Sequence, residues 1–153
     1  MKKVLVPSII FIVLGFIVGN LVFSNRVELV RKIKNNNNYY FLEEGVYTSK
    51  ETLNKNISKV TQKVISKINN NYYVYVGITK SEEIAKKIKE LYQERGIKIN
   101  IKERKLNNEE FLNNVTQFDI LLNEAKTLEE IITIEKIILS NYDDLINNAN
   151  SLE

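Results

Sequence analysis

Two adjacent carboxylates, Glu43 and Glu44, are the first residues in this chain whose types suggest chemistry. A general acid and base must reach one substrate from one side. These two end a β-type run, residues 39–44, in which neighbouring side chains point to opposite faces. Acid–base catalysis is therefore not expected of them, and no catalytic residues are assigned. A second set is better placed. Phe41 and Glu43 on the first run, Tyr73 and Tyr75 on a run at 72–78, and Lys98, Asn100 and Lys102 on a run at 97–102 all alternate with apolar residues. Packing the apolar partners on helices leaves these seven on the opposite sheet face. A sugar can lay its apolar face on an aromatic ring while its hydroxyls and acetamides hydrogen-bond to amide, ammonium and carboxylate groups. The seven are the candidate glycan-binding residues. Lys98 and Lys102 also read as an ordinary solvated strand face.

The composition closes off other chemistries. The 153 residues include no Cys and no His. Disulfides, thiolate nucleophiles, Ser-His-Asp catalysis and zinc sites of the usual kind are excluded. No metal or cofactor is expected. The net charge is +3, but with Lys2 and Lys3 set aside the remainder carries 20 basic and 19 acidic residues. A near-neutral domain gives no general attraction to nucleic acid. The asparagine runs at 35–38 and 69–71 read as compositional bias.

The elements that must position the seven residues come after a membrane segment. Residues 4–23 carry no charge, and about 20 apolar residues cross a bilayer core. Pro7 is near the start of the run, where a helix tolerates it. Gly15 and Gly19 have the spacing that lets two such helices approach, although Gly is also common in membrane helices. The run is longer than a signal-peptide core and lacks a small-x-small cleavage site, so residues 1–25 read as an uncleaved signal anchor. Counting positive charges on the two flanks keeps the carboxyl side in the cytoplasm. The short Lys-Lys start is instead the form of an anchor that exports the segment on its carboxyl side. A polar linker spans 26–38.

From Tyr39 onward a phrase occurs twice: strand, Gly, short link, capped helix. Gly45 ends the first strand and Gly77 lies near the end of the second, with Thr48/Glu51 and Thr79/Glu82 as capping boxes. Leu53, Ile57, Val60 and Val64 form a stripe on the first helix, and 64–68 reads as either its end or a short edge strand. Residues 69–71 mark a turn. Ile84, Ala85, Ile88, Leu91 and Tyr92 form the second apolar face, stopped by Gly96. On the strand at 97–102, Ile97, Ile99 and Ile101 face inward; on the first strand Tyr40 and Leu42 do, leaving Tyr39 outward with Phe41 and Glu43. A helical hairpin is expected at 105–147, its second helix opened by a Thr127/Glu130 box, and 148–153 read as a frayed tail. The class is α+β, a βαββαβ sandwich after the transmembrane helix, with the hairpin appended.

Tyr73-Val74-Tyr75-Val76-Gly77 followed by Ser81-Glu82-Glu83-Ile84-Ala85 resembles the second half of the SPOR (sporulation-related repeat) family, small envelope domains of bacteria. Leu42-Glu43-Glu44-Gly45 is a looser match to the first half, with Glu43 where the family has Gln and Glu44 in place of an apolar residue. The likeness covers about 39–103 and leaves the helical hairpin outside it. It implies a ferredoxin-like sandwich that binds peptidoglycan glycan strands stripped of their stem peptides, across the open sheet face, at division or sporulation septa. It also implies a single-pass protein of the cell membrane with its domain outside the cytoplasm; with no catalytic motif in the chain, no enzymatic activity is expected. Two other readings stand beside it. The hairpin must bury its own apolar face; covering the sheet with it would make the domain a scaffold for an envelope or division protein. RNA-recognition domains share the βαββαβ order, but their Lys/Arg-Gly-Phe/Tyr-Gly/Ala-Phe-Val-x-Phe signature is absent.

Overall fold

The computed structural model describes residues 38–57 and 60–150, which fall in one compact unit, Asn36–Glu153. The membrane segment expected at 4–23 and most of the linker lie outside the described residues, and no helix among those described is long and apolar enough to cross a membrane. The elements are β1 (Asn38–Tyr47), α1 (Lys50–Asn56), β2 (Val64–Ile68), β3 (Asn71–Thr79), α2 (Glu82–Glu94), β4 (Asn100–Lys105), α3 (Glu109–Glu124) and α4 (Leu128–Asn150). The fold is α+β: four helices and one antiparallel sheet in the order β2-β3-β1-β4.

Local chemistry sets most boundaries. Asn69 and Asn70 both have positive φ, 48° and 65°, and join β2 to β3 in a two-residue loop with Ile68 opposite Asn71. Asparagine tolerates that region, and the tight hairpin needs it. It resolves residues 64–68 as a strand. The stripe expected on the first helix is cut short: α1 ends at Asn56, Val60 lies in a loop and Val64 begins β2. Two capping residues also differ from expectation. Ser49 rather than Thr48 caps α1, accepting from the Thr52 amide, and Ser81 rather than Thr79 caps α2, accepting from the Ile84 amide. The third box is reciprocal as expected: Thr127 Oγ1 accepts from the Glu130 amide, and Glu130 Oε2 accepts from the Thr127 amide. The last strand begins at Asn100, not Ile97; Ile99 is fully buried just ahead of it.

The sheet carries two bulges. Leu42 pairs with Gly77 but Glu43 pairs with Tyr75, so Val76 is an extra residue on β3. Glu43 pairs with Tyr75 and Gly45 with Val74, so Glu44 is an extra residue on β1. Each bulge turns the alternation of its strand over. After Val76, Ile78 and Lys80 therefore lie on the side of Tyr75: Phe41 pairs with Ile78, and the Lys80 ammonium sits over the Tyr39 ring.

One face takes α2, with Tyr40 close to Glu82 and Lys86. The other takes α3 and α4, whose Phe111 and Tyr142 meet the rings of β1 and β3. The carboxyl-terminal helices are thus part of the same apolar core as the sheet, joined through Val115, Leu122, Ile131, Ile138 and Leu139. α4 continues to Asn150, past the point where a frayed tail was expected.

Gly96 closes α2. Its φ is +73°, its amide bonds the Gln93 carbonyl, and the Ile97 amide reaches back to Tyr92. A Cβ there would meet no atom within 4 Å, so Gly96→Ala isolates the backbone effect. It should lower stability by about 1 kcal/mol, the usual penalty of a left-handed alanine. Urea unfolding should show a lower midpoint and an unchanged slope.

Candidate functional site

The face expected to be open is closed. Tyr39, Phe41 and Tyr75, assigned outward by alternation, are fully buried, and Glu43 is only 4% exposed. The alternation is right and the solvent assignment is wrong, because α3 and α4 lie on that side. Tyr142 of α4 stands edge-on to Phe41 and Tyr75, with ring centroids 5.2 and 6.2 Å away. Phe41 meets Tyr75 at 5.0 Å, Tyr73 stacks on Tyr75 at 6.3 Å, and Phe111 tilts against Tyr39 at 5.5 Å. Each such pair adds about 0.5–1.5 kcal/mol to the burial of its rings. Burial pushes the Tyr39 phenol up to about 12, helped by the Asp119 charge, and pushes Tyr75 up against the lowering effect of Arg104.

Of the seven candidate residues, Phe41, Glu43 and Tyr75 thus form part of the core. Tyr73 is half-buried at its margin, and Lys98, Asn100 and Lys102 are exposed. Asn100 pairs with Glu43 and Lys102 with Phe41 on the outer strand, while Lys98 lies just ahead of it. The residues the structure brings together are therefore two groups: a buried aromatic floor, and a polar rim along β4.

Arg104 joins the two groups. It pairs with Tyr39 at the far end of β4 and sends its guanidinium along the face, with Cζ 5.1 Å from the Tyr73 ring centroid, 5.3 Å from Tyr75 and 5.7 Å from Phe41. Weak hydration and a flat shape suit guanidinium to such stacking. Ending the strand at Lys102 hid this residue; continuing the alternation from Asn100 and Lys102 reaches it.

A second cluster lies at the edge of β3. The ladder to β2 stops at Val64 opposite Tyr75, while the ladder to β1 runs on to Tyr40 opposite Thr79. Beyond Tyr75, β3 has β1 on one side and no strand among the described residues on the other. Amides two residues apart on a strand point the same way, and a buried amide needs an acceptor. Two carboxylates from the hairpin supply them. Glu135 Oε2 accepts from the Ile78 amide at 3.0 Å, and Asp119 Oδ2 accepts from the Lys80 amide at 2.8 Å. Asp119 Oδ1 also accepts from the Thr79 hydroxyl at 2.6 Å. Both acids are buried, at 1% and 0% exposure. Burial raises Asp119 to about 7 despite these bonds, and raises Glu135 well above the usual carboxylate range, opposed by the Ile78 amide and reinforced by Asp119. Glu135 Oε1 and the buried Tyr92 hydroxyl have no hydrogen-bond partner among the described residues. The sequence carries a signal for both acids. Each interrupts an apolar stripe, Val115–Asp119–Leu122 and Ile131–Glu135–Ile138, where a solvated helix face would not place a carboxylate.

Gly77 has its reason here. A Cβ on it would lie 2.7 Å from Glu135 Oε1 and 3.1 Å from Leu42 Cδ1. The strand runs past Gly77 to Thr79, and the glycine of the repeated phrase is instead the point where a buried acid meets bare backbone. Among the described residues no group of acids could hold a metal ion. The cluster is closed to solvent, and it docks the hairpin. The candidate residues left accessible are Lys98, Asn100 and Lys102, with Tyr73 half-buried and Arg104 half-buried over its ring. No family model, curated protein or solved structure matches this chain.

Gly77→Ala should destabilise the fold by about 1–3 kcal/mol, the range for overpacking a filled interior, and Glu135→Gln should not relieve it, since the volume is unchanged. The raised acids also set a pH dependence. A carboxyl whose folded pKa is raised is favoured in the fold when protonated, so its stabilisation is complete below its unfolded value near 4 and is lost as pH rises through about 7. Urea midpoints should fall between pH 5 and pH 8 in the wild type. They should fall less in Asp119→Asn, whose amide can still accept from the Lys80 amide.

Proposed function

We propose that this chain is a non-catalytic binding module of a bacterial envelope. Residues 4–23 tether it to the membrane as a single-pass anchor, and the α/β domain stands outside the cytoplasm. There it binds peptidoglycan glycan strands at a septum or spore envelope. The β4-β1-β3-β2 antiparallel order supports a ferredoxin-like, SPOR-like sandwich as the scaffold. The observation that carries the reading is the outer strand and the residues leading into it: Lys98, Asn100 and Lys102 present exposed donors, and Arg104 on the same strand lies over half-buried Tyr73. That strip combines amide, ammonium and guanidinium donors with the margin of an aromatic face, which suits a hydroxyl- and acetamide-rich polymer lying along the strand. The contact then differs from a ligand spread across the sheet, since Phe41 and Tyr75 are occupied by the chain's own helices.

That same occupation favours a second reading, a membrane-anchored scaffold that docks an envelope or division protein. Among the described residues β4 is also an outer edge of the sheet, to which an extended segment could add. The near-neutral domain weighs against RNA.

The test uses the full chain in detergent micelles, pelleted with purified cell-wall sacculi before and after removal of stem peptides. Pelleting should rise after stripping. The triple variant Lys98→Ala, Asn100→Ala, Lys102→Ala should lose most of it with an unchanged urea midpoint, because all three side chains are exposed. If the wild type pellets with neither preparation, the glycan reading falls and the protein-docking reading takes its place.

A further inference from the structure

Arg104 is a cation seated on the aromatic face with no anionic partner among the described residues. Its guanidinium lies over the rings of Phe41, Tyr73 and Tyr75 and close to Tyr142. Among the described residues it has no ion pair and no hydrogen bond; the salt bridges there join Lys55 to Glu51, Lys86 to Glu82 and Arg95 to Glu129, all on exposed helix surface. Glu103, its neighbour on β4, points to the opposite face and takes a hydrogen bond from Asn38. Ring faces accept charge but satisfy few N–H groups. A guanidinium has five donors in a flat fork, and those of Arg104 meet no protein acceptor among the described residues while staying within reach of a ligand from solvent. The complement of that fork is a planar or tetrahedral anion bound through two oxygens. Lys102 and Asn100 lie two and four residues earlier on the same side of the same strand, pairing with Phe41 and Glu43. Both are exposed, so a ligand along β4 meets ammonium and amide donors before the seated guanidinium.

We infer that Arg104 is an anion-binding residue that takes a carboxylate or phosphate group carried by the envelope polymer lying along β4. The inference rests on the glycan reading above and gives it a discriminating contact. Hydrolysis of the amide joining a stem peptide to its sugar adds water across the C–N bond. The amine leaves with the peptide and a carboxylate stays on the sugar. A stripped strand is thus a polyanion where the intact strand was amidated, and a fixed guanidinium fork distinguishes the two. Phosphate esters on a wall polymer offer the same oxygens.

The full chain in detergent micelles is pelleted with stripped sacculi in three forms: untreated, freed of phosphate polymers with hydrofluoric acid, and amidated with methylamine and carbodiimide. Arg104→Gln should weaken binding to untreated sacculi about tenfold, as loss of a charge-assisted hydrogen bond does, and flatten the salt dependence. Arg104→Lys, which keeps the charge but not the fork, should fall between. The wild type should bind amidated sacculi as weakly as Arg104→Gln binds untreated ones, an arm that needs no variant to fold. If hydrofluoric acid and not amidation removes the difference, the anion is phosphate and the assignment of Arg104 stands. Wild-type pelleting that is indifferent to both treatments, or an Arg104→Gln protein that binds like the wild type, overturns it while leaving glycan binding in place. Wild type that pellets with no preparation removes the glycan reading itself, and this inference with it.

Discussion

The fold depends on how the open edge of β3 is satisfied. β2 is only five residues long, and past Tyr75 the central pair β1–β3 continues without it. A third strand at that edge would have to be longer than the Asn69–Asn70 hairpin supplies. The chain instead uses Asp119 and Glu135, one from each helix of the hairpin, as acceptors for the Lys80 and Ile78 amides. Buried acids are poor stabilisers when their charges must be desolvated. Burial favours their protonated form and the backbone and hydroxyl donors compensate the charged one, so they serve as acceptors that are specific about position. They fix where α3 and α4 sit along β3, and the apolar stripes on either side of each acid then meet the aromatic face.

With the hairpin so placed, the aromatic face is core. Tyr39, Phe41, Tyr75, Phe111 and Tyr142 form one ring cluster, and cations close its margins, Lys80 over Tyr39 and Arg104 over Tyr73 and Tyr75. The chemistry left to solvent on that side is the β4 rim. The membrane-tethered module proposed here would therefore meet a polymer with a strand edge and a guanidinium rather than with a broad aromatic platform.

Much of the local structure is legible in the sequence because local forces decide it. The asparagine turn, the Gly96 stop, the Thr127/Glu130 box and the alternation on β1 as far as Glu43 follow from backbone conformations and side-chain reach. The illegible part is non-local. Ser49 and Ser81 cap their helices in place of Thr48 and Thr79; the Thr79 hydroxyl is turned toward Asp119, forty residues downstream. The bulges at Glu44 and Val76 turn over the alternation in the middle of each strand, and no run of residue types marks them. Above all, alternation assigns a side chain to a face but not to water: Phe41 and Tyr75 point where expected, into helices that arrive from the end of the chain. The acids in the apolar stripes of α3 and α4 were the available clue to that arrival.

The pairing of β1 with β4 carries a consequence for how the domain comes into being. The first strand is central, and its two neighbours are the third and the last, so no two strands adjacent in sequence complete it. Such long-range topology folds slowly, because the intervening chain must be ordered before distant contacts form. A chain emerging from its amino end presents β1 long before Lys105 exists to pair with Asn38, and presents the Tyr39–Phe41–Tyr75 surface before Phe111 and Tyr142 can cover it. During synthesis that aromatic face stays exposed, and the span from β1 to α4 is an interval of aggregation risk that ends only with the final helix.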